Sequence, residues 1–265
     1  MDAFQKRYGP WALVAGASEG IGEAFARELA RRGLNLVLVA RREGPLEAAA
    51  REIAGLAKVD VRCIPLDLTR ADAAALLEEK VADLAIGLVV YNAALAPAGT
   101  FLEIPLEEQL AAIDVNVRGP LAVAHRFGQR MAARGAGGIV LLSSLTAFQG
   151  SPYVATYGAT KSFLLTLAEG MWFELAPLGV DVLAVCAGAT RTPRYLKRAQ
   201  GRAPGELDPA QVAREALASL GHGPLLIPGR FNRFASQLMR RLLPRKLTIR
   251  IMGGQTRHLA TSGSR

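Results

Sequence analysis

Residues 11–32 of the chain read WALVAGASEGIGEAFARELARR, and this stretch decides the fold. A short apolar run leads into a glycine-rich turn at residues 16–22, and the residues beyond it have helical periodicity. In a strand-to-helix turn, glycine permits a tight bend, lets a pyrophosphate approach the main chain and allows the helix to pack closely on the strand. The sequence therefore predicts that this turn binds a dinucleotide through Gly16, Ser18, Glu19, Gly20 and Gly22.

Short apolar runs alternate with helical segments along the rest of the chain. The predicted strands are Trp11–Gly16, Leu34–Ala40, Val59–Pro65, Gly87–Tyr91, Gly138–Ser144, Val180–Cys186 and Pro224–Ile227. The predicted helices are Glu19–Arg32, Leu46–Ala57, Ala71–Val81, Leu106–Arg134, Tyr153–Leu175 and Pro209–Leu220. The strands are apolar throughout, as expected when helices cover both faces of a sheet. We therefore predict an α/β fold with a doubly wound, parallel, seven-stranded sheet of the Rossmann type.

The end of the second strand indicates which dinucleotide the site prefers. An acidic side chain about 20 residues after the glycines would bind the ribose hydroxyls of NAD, but the sequence there is Ala40-Arg41-Arg42. A guanidinium is suited to a 2′-phosphate, so NADP(H) is favoured over NAD(H), although the two arginines could also be a solvated pair. After the third strand, Asp67 could accept from the adenine amino group or cap the next helix, and Leu68 lies beside it.

A tyrosine and a lysine stand four residues apart in the segment Tyr157-Gly158-Ala159-Thr160-Lys161. Side chains at this spacing share a helical face, so the ammonium can lie near the phenol. A nearby cation lowers the pKa of a phenol toward the range useful for general acid/base catalysis. Ser143 and Ser144 end the preceding strand, at the sheet edge where ligands bind in parallel sheets.

Over roughly residues 9–229, the chain resembles the short-chain dehydrogenase/reductase family. The glycine turn, Asn92-Ala93-Ala94, Asn116, Ser144 and the Tyr157/Lys161 pair follow the family's order and approximate spacing. The resemblance implies a catalytic tetrad. In it, Tyr157 is the general acid/base, Ser144 donates to the substrate oxygen, Lys161 lowers the tyrosine pKa and holds the nicotinamide ribose, and Asn116 positions a relay water. Singly, Ser144 could be an ordinary strand-end serine, and Asn116 a helix kink or a polar core residue.

The resemblance also extends the cofactor site beyond the glycine turn. It implies cofactor contacts from Ile21, near the diphosphate, and from Asn92, Ala93, Tyr157, Lys161, Gly188, Thr190 and Thr192. The chain departs from the family pattern at three positions, where alanine replaces threonine, glycine and proline respectively: Ala15, Ala94 and Ala187. None of the three removes a catalytic group, but they affect the expected shape of the cofactor cleft.

The expected function is that of an NADP(H)-dependent carbonyl reductase or alcohol dehydrogenase. The alternative is a nucleotide-binding sensor or scaffold with little turnover. The segment 189–206 corresponds to the family's variable lid, and its basic residues are Arg191, Arg194, Lys197, Arg198 and Arg202. A cationic lid could favour an anionic substrate, whereas Phe148, Tyr153 and Tyr195 favour a hydrophobic one. The resemblance further implies a homodimer or homotetramer that pairs the helices Leu106–Arg134 and Tyr153–Leu175.

The net charge of +9 lies entirely at the C-terminal end. Residues 230–265 hold nine of the 32 basic residues and no acidic residue, so the other 23 basic residues are balanced by the 23 acidic ones. We therefore divide the chain into a Rossmann-type catalytic domain, residues 1–229, and a basic extension, residues 230–265. Residues 230–242 predict a basic amphipathic helix that ends before Pro244.

Three uses of that helix remain open. Its apolar side could pack on its own domain or on a partner subunit, which is the commoner case, or it could lie on an anionic membrane. Nucleic-acid binding is disfavoured because no aromatic platform accompanies the charge.

Composition excludes several classes of protein. With 51% hydrophobic and 21% charged residues, the chain is neither disordered nor a disulfide scaffold. The two cysteines, Cys63 and Cys186, lie in apolar runs and are predicted to be buried free thiols, which is typical of a reducing compartment. No signal peptide or membrane span is predicted, so a cytoplasmic location is expected. The three histidines lack metal-ligand spacing, and no metal site is predicted.

Overall fold

The computed structural model describes residues 2–197, 201 and 203–257. Its seven strands are β1 (Trp11–Ala15), β2 (Asn35–Ala40), β3 (Val61–Pro65), β4 (Ile86–Tyr91), β5 (Gly137–Ser144), β6 (Val180–Ala187) and β7 (Leu225–Leu226). They form one sheet in the order β3-β2-β1-β4-β5-β6-β7, and all neighbouring strands run parallel. The order reverses between β1 and β4, which is the position where ligands bind in doubly wound sheets. The predicted seven-stranded Rossmann-type sheet is confirmed.

Helices connect the strands and continue beyond the last one. They are α1 (Ala3–Tyr8), α2 (Gly20–Arg31), α3 (Glu43–Leu56), α4 (Ala73–Lys80), α5 (Leu106–Ile113), α6 (Gly119–Arg134), α7 (Ala155–Leu175), α8 (Pro193–Leu196), α9 (Pro209–Ser219), α10 (Arg230–Leu242) and α11 (Arg245–Thr256). In the sequence, Asp208 followed by Pro209 is a favourable N-cap and first-turn pair, and Asp208 caps α9 by accepting a hydrogen bond from the Ala210 N–H. In the part of the chain that the structure describes, no helix is both long enough and apolar enough to cross a bilayer.

The sheet is buried on both faces because its strands are apolar at successive positions. Leu13 and Ala15 of β1 join a core layer formed with α4, α6 and α7. Ala12 and Val14, which point the other way, join a second layer formed with α2, α3 and α9. Each fully buried aliphatic side chain of Val or Leu size contributes about 1.5–3 kcal/mol, so these two layers are the main source of stability.

The long helix predicted over Leu106–Arg134 is interrupted. Between α5 and α6 the chain forms a π-helical turn, Asp114–Arg118, which has one residue more per hydrogen-bonded turn than an α-helix. Asn116 lies in this turn and is fully buried. Both structural alternatives for Asn116, a helix irregularity and a polar core residue, are therefore observed together.

Three helices were not predicted from the sequence: α1 at the N-terminus, the short α8, and α11 near the C-terminus. Of the uses left open for α10, packing of its apolar side on its own domain is not observed. Phe234 and Leu242 of that side are 66% and 69% exposed, whereas the polar Asn232 and Ser236 face the protein. The helix packs with its polar side inward because that side makes specific hydrogen bonds, which are described below.

The N-terminal helix is held to β6 through one carboxylate. The Arg7 Nη2 donates to Asp181 Oδ1 at 2.8 Å, and the Tyr8 hydroxyl donates to Asp181 Oδ2 at 2.6 Å. Tyr8 is only 4% exposed, and burial together with the Asp181 carboxylate raises the pKa of its phenol. Without the carboxylate, a buried hydroxyl would lose its partner.

We expect Asp181→Ala to lower the free energy of unfolding by about 1–3 kcal/mol, because it leaves the Tyr8 hydroxyl unpaired in the interior. Asp83→Ala is the matched control, since it also removes a carboxylate that binds an arginine through both oxygens, but on the surface. The control should cost less than about 1 kcal/mol. Urea denaturation of both variants measures the difference, and equal losses would contradict the anchoring role of Asp181.

Candidate active site

A cleft of about 620 Å³ opens at the carboxyl ends of the strands. The residues that line it come from the segments just after β1, β2, β3 and β4 and from the ends of β5 and β6. Of the predicted site residues, those that line it are Gly16, Ser18, Glu19, Gly20, Ile21, Arg41, Arg42, Asp67, Leu68, Asn92, Ala93, Ser144, Tyr157, Lys161, Gly188, Thr190 and Thr192. Gly22 and Asn116 do not line the cleft, and each contacts residues that do.

The glycine turn brings the start of α2 against β1. A Cβ atom at Gly22 would lie 2.0 Å from the carbonyl oxygen of Gly16, so no side chain can be accommodated there. Gly16 has a φ of 82°, and a Cβ at this position would lie 2.7 Å from the backbone of Ala93. The Asn92 Nδ2 donates to the Gly16 carbonyl at 2.9 Å and thereby ties β4 to the turn.

This turn fits the diphosphate of a dinucleotide. Residues 16–21 line the cleft at the N-terminus of α2, where backbone N–H groups lack helical partners and the helix dipole is positive. The glycine at position 20, with a φ of 64°, keeps the turn open to an approaching anion. Main-chain donors, and glycines that leave room beside them, are the features that pyrophosphate binding needs.

Two arginines follow β2 at the rim of the cleft. Both side chains are exposed, and the Arg42 Nη2 lies 3.6 Å from Glu19 Oε2 of the glycine turn. No acidic residue stands at the end of β2, where Ala40 is 7% exposed. This rim therefore presents two guanidinium groups, with one carboxylate beside Arg42.

Asp67 lies at the same end of the cleft. Its Oδ1 accepts from the Thr69 N–H at 3.0 Å and from the Thr69 hydroxyl at 2.9 Å. These bonds, and then the charge of Arg41, lower the pKa of Asp67. Asp67 does not cap the next helix, because α4 begins after Asp72.

The tyrosine and the lysine lie together on α7. The Lys161 Nζ lies 5.5 Å from the centroid of the Tyr157 ring and donates to the carbonyl oxygen of Leu142 at 2.6 Å. Lys161 is 3% exposed, whereas Tyr157 is only partly buried and reaches the cleft. Ser144, at the end of β5, forms a side-chain hydrogen bond with Tyr157.

Burial dominates the electrostatics of this pair. It raises the pKa of Tyr157, while the hydrogen bond to Ser144 and the charge of Arg194 act in the opposite direction. Burial also lowers the pKa of Lys161, to about 8. The resemblance implies that Lys161 lowers the pKa of Tyr157; the net pKa shift of Tyr157 is nevertheless upward, because burial outweighs the groups that favour the phenolate. The ammonium lies over the ring face and is engaged by the Leu142 carbonyl rather than by the phenolic oxygen.

Asn116 connects three parts of the site through its amide. Its Nδ2 donates to the Leu95 carbonyl at 2.8 Å and to Thr160 Oγ1 at 3.0 Å, and its Oδ1 accepts from the Leu95 N–H at 2.9 Å. Both amide protons are therefore used. Because Thr160 directly precedes Lys161, the bonds of Asn116 fix the loop after β4 relative to the part of α7 that carries Tyr157 and Lys161.

The lid segment begins with α8. Thr192 accepts a hydrogen bond from the Tyr195 N–H, and its methyl carbon would lie 2.8 Å from a Cβ at Gly20. Arg194 and Tyr195 line the cleft, and the Arg194 Nη1 donates to the Ala94 carbonyl at 3.3 Å. Arg191 instead faces acidic side chains, since its Nη2 lies 3.5 Å from Asp208 Oδ2. Lys197 follows α8, and Arg198 and Arg202 fall outside the described residues.

Sequence reasoning missed several supporting residues and overstated others. Ser143 donates to the Lys161 carbonyl at 2.7 Å, and Leu95 lines the cleft. The position of Ser143 at the end of a strand indicated that it lies near the cleft, but no sequence pattern indicated its hydrogen bond to the Lys161 carbonyl. Phe148 and Tyr153, expected near the substrate, are absent from the lining of this cleft, whereas Tyr195 is present.

The two thiols are free, as predicted. Cys186 is buried in β6 beside Ser143, and burial raises its pKa to about 11. Cys63, expected to be buried, is only partly so.

Comparison with known proteins gives consistent matches. The family model described as short chain dehydrogenase matches residues 10–202. A 7beta-hydroxysteroid dehydrogenase of Clostridium sardiniense is 33% identical over 233 residues, 87% of this chain and 89% of that protein. A solved structure of a 7beta-hydroxysteroid dehydrogenase superposes with a TM-score of 0.89 at 32% identity and covers 94% of this chain and 99% of that one. The human protein named inactive hydroxysteroid dehydrogenase-like protein 1 is 31% identical, with 82% of this chain and 67% of that protein covered.

Proposed function

Because the chain belongs to the short-chain dehydrogenase/reductase family and is an NAD(P)-dependent oxidoreductase of CH–OH and C=O groups, we propose that it interconverts a secondary alcohol and a ketone with NADP(H). The observation that carries the proposal is the meeting of Tyr157, Ser144 and Lys161 in the same cleft as the glycine turn. An acid/base phenol next to a dinucleotide site is what hydride transfer to a carbonyl requires.

The chain's own residues supply the proton and hold the oxygen. When bound, the nicotinamide supplies the hydride for reduction and takes it up in oxidation. Tyr157 donates its phenolic proton to the carbonyl oxygen during reduction and takes it back during oxidation. The Ser144 hydroxyl donates to the same oxygen, and the Lys161 ammonium beside the ring stabilises the phenolate that remains.

Asn116 acts as a positioning residue in this proposal. Both of its amide protons are already donated within the protein, so its side chain cannot donate to a relay water. Its hydrogen bonds instead hold the Leu95 loop and the segment before Lys161 in register. A relay water therefore has to bind elsewhere in the turn around Asn116.

We assign the substrate to the class of bulky, largely apolar ketones and alcohols, such as steroids. The identity to a 7beta-hydroxysteroid dehydrogenase over 87% of this chain supports this class. The wall of the substrate end also supports it, since Leu95, Ala96 and Tyr195 lie there. Arg194 adds one positive charge at this end, which suits a substrate that carries an anionic group on an apolar frame.

NADP(H) is the proposed cofactor because Arg41 and Arg42 face the rim where the adenosine ribose would lie. A planar guanidinium binds a phosphate through two hydrogen bonds, and the lack of an acid at the end of β2 removes the usual ligand of the ribose hydroxyls. Cofactor contacts at Asp67, Leu68, Ala93, Gly188, Thr190 and Thr192 are part of the same proposal.

A homo-oligomer is also proposed. Apolar side chains lie exposed along α5, α6 and α7, the helices that the family pairs, and these are Leu106, Leu110, Ile113, Leu121, Trp172 and Phe173. Exposed apolar rows on neighbouring helices suit a self-complementary contact between two copies.

The second candidate function is a nucleotide-binding protein with little turnover. Its support is the human relative whose name includes the word inactive, together with Ala15, Ala94 and Ala187 around the cleft. The Tyr157 phenol separates the two functions, because only an enzyme needs it.

Tyr157→Phe should lower the rate of NADPH-dependent ketone reduction by about 10³-fold or more, because it removes the only proposed proton donor. The affinity for NADPH, measured by fluorescence titration, should stay within about threefold of the wild type. Tyr153→Phe is the control, since it removes a nearby phenol that does not line the cleft. Near-normal turnover in Tyr157→Phe contradicts the mechanism, and turnover absent even in the wild type favours the binding function.

Arg42→Ala and Glu19→Gln should change NADPH affinity in opposite directions. The first removes a cation from the proposed 2′-phosphate site and should weaken NADPH by about 10-fold to 100-fold, with little effect on NADH. The second removes the carboxylate near Arg42 and should strengthen NADPH binding. Calorimetric titration measures both, and Arg51→Ala, which removes an arginine of α3 paired with Glu47, is the control. Equal changes for NADPH and NADH would contradict the NADP(H) assignment.

The initial rate of reduction should fall as the pH rises through about 8, the pKa of the buried Lys161. The ammonium is charged below this pKa and neutral above it, so stabilisation of the phenolate is present at lower pH and lost at higher pH. In Lys161→Arg the guanidinium stays protonated, and the decline should move to higher pH. A kcat/KM profile in which the decline stays near pH 8 in Lys161→Arg assigns it to another group.

A further inference from the structure

Helix α10 is fixed to the body of the protein by its polar side. The buried Asn232 donates through Nδ2 to the Gly205 carbonyl at 2.9 Å and to the Pro228 carbonyl at 3.3 Å. Ser236, one helical turn later, is also buried. The Arg233 Nη2 lies 3.6 Å from Glu215 Oε2 of α9, which adds a charged contact on the same helix. These contacts determine which side of α10 faces outward.

The side that faces outward is apolar. Phe231, Phe234, Leu238 and Leu242 are 56%, 66%, 45% and 69% exposed. Their spacing of three and four residues places them in one row along the helix. A monomeric protein rarely leaves a continuous row of large apolar side chains in water, and such a row marks a contact surface.

Helix α11 repeats this arrangement. Its Thr248 is buried, and the Thr256 hydroxyl donates to the Pro152 carbonyl at 2.8 Å. Leu247 and Ile251, four residues apart, are 43% and 37% exposed. Helix α11 therefore contacts the body through the Thr256 hydroxyl and through Ile249, whose side chain faces Gly150, and both helices leave apolar rows outside.

The charges around these rows are all of one sign. Arg230 and Arg241 are exposed at the edge of the α10 row, and Arg245, Lys246 and Arg250 follow on α11. The sequence 230–265 contains no acidic residue, and the remainder of the chain is balanced in charge. Arg240 is turned away from this edge, with its guanidinium 4.3 Å above the Phe148 ring.

From the exposed apolar rows and their basic borders, we propose that α10 and α11 bind the surface of an anionic lipid bilayer. Apolar side chains enter the headgroup boundary, and the arginines bind the anionic headgroups. Each basic residue near such a surface adds to the attraction, whereas an acidic residue would oppose it. A symmetric contact of this surface with a second copy is disfavoured, because it would bring two surfaces of the same charge together.

The position of the two helices links this surface to the cleft. Asn232 holds the Gly205 carbonyl of the lid segment, and α11 packs on the loop that follows Ser144 and ends before α7. A protein that binds the bilayer through α10 and α11 therefore places both the lid and this loop close to the lipid. An apolar substrate dissolved in the bilayer would have a short path to the site. The path for an apolar substrate rests on the proposed function, whereas the binding of α10 and α11 to lipid does not.

Vesicle flotation with the full chain tests the proposal. Vesicles of phosphatidylcholine alone are compared with vesicles that also contain phosphatidylglycerol. The wild type should float with the anionic vesicles, stay behind with the neutral ones, and be released by high salt. The variant Phe234→Ser/Leu238→Ser should reduce the bound fraction by about tenfold or more. Arg230→Gln/Arg241→Gln should reduce it by a smaller factor.

The control is Leu102→Ser, which removes an apolar side chain that is 93% exposed on another part of the molecule. It should float like the wild type. Circular dichroism and ketone reduction in solution should be unchanged in the α10 variants, because none of the substituted residues lines the cleft. A loss of lipid binding is thereby separated from a failure to fold and from a failure of the proposed enzyme function.

Three results would overturn the proposal. They are no flotation of the wild type with anionic vesicles, equal flotation with neutral vesicles, and unchanged flotation of Phe234→Ser/Leu238→Ser. Light scattering identifies the alternative occupant. If the wild type does not float and the same double variant has a smaller mass in solution, a second copy of the chain covers the row.

Discussion

The structure depends on the close approach of α2 to the end of β1. Among the described glycines, Gly22 leaves the least room for a side chain, since a Cβ there would lie 2.0 Å from the Gly16 carbonyl oxygen. The Asn92 amide binds the same carbonyl and brings β4 to this point. The reversal of strand order lies between β1 and β4, so one hydrogen bond spans the gap that a ligand must enter. The helix N-terminus, the floor of the cleft and the centre of the sheet are therefore positioned by the same contact.

The proposed catalytic side of the cleft depends on burial in a different way. The buried Lys161 ammonium donates to the Leu142 carbonyl, and the Ser143 hydroxyl donates to the main-chain carbonyl of Lys161. Taking an ammonium out of water is costly, and the lowered pKa of Lys161 expresses that cost. The Leu142 carbonyl offsets part of this cost, and the buried apolar side chains of the two core layers supply the stability that the fold needs. Burial of the Lys161 ammonium therefore lowers stability at the position where the proposed mechanism needs a cation near the Tyr157 phenol.

Much of the fold could be predicted because its signals are local. Strand runs, the glycine turn and the Asp208 cap depend on neighbouring residues, and the structure agrees with them to within a few positions. The π-helical turn at Asn116 was not predicted, because it depends on an amide that bonds to the distant Leu95 and Thr160. The same holds for the charge effects on Tyr157, where burial and Arg194 matter and sequence spacing suggested only Lys161. The periodicity of α10 was predicted correctly, but periodicity alone cannot tell which side faces inward, and here two polar side chains determined it.

The inward polar side of α10 has an evolutionary consequence. Because the hydrogen bonds of Asn232 hold the helix and Ser236 is buried on the same side, exchange of Phe231, Phe234, Leu238 or Leu242 for a polar residue exposes no core and leaves no buried group without a partner. Selection for folding therefore acts weakly on these four positions. If these four positions vary little among related chains, the cause is therefore a contact that the helix makes in the cell. The rate of amino-acid substitution along α10 then reflects its partner and not its own stability.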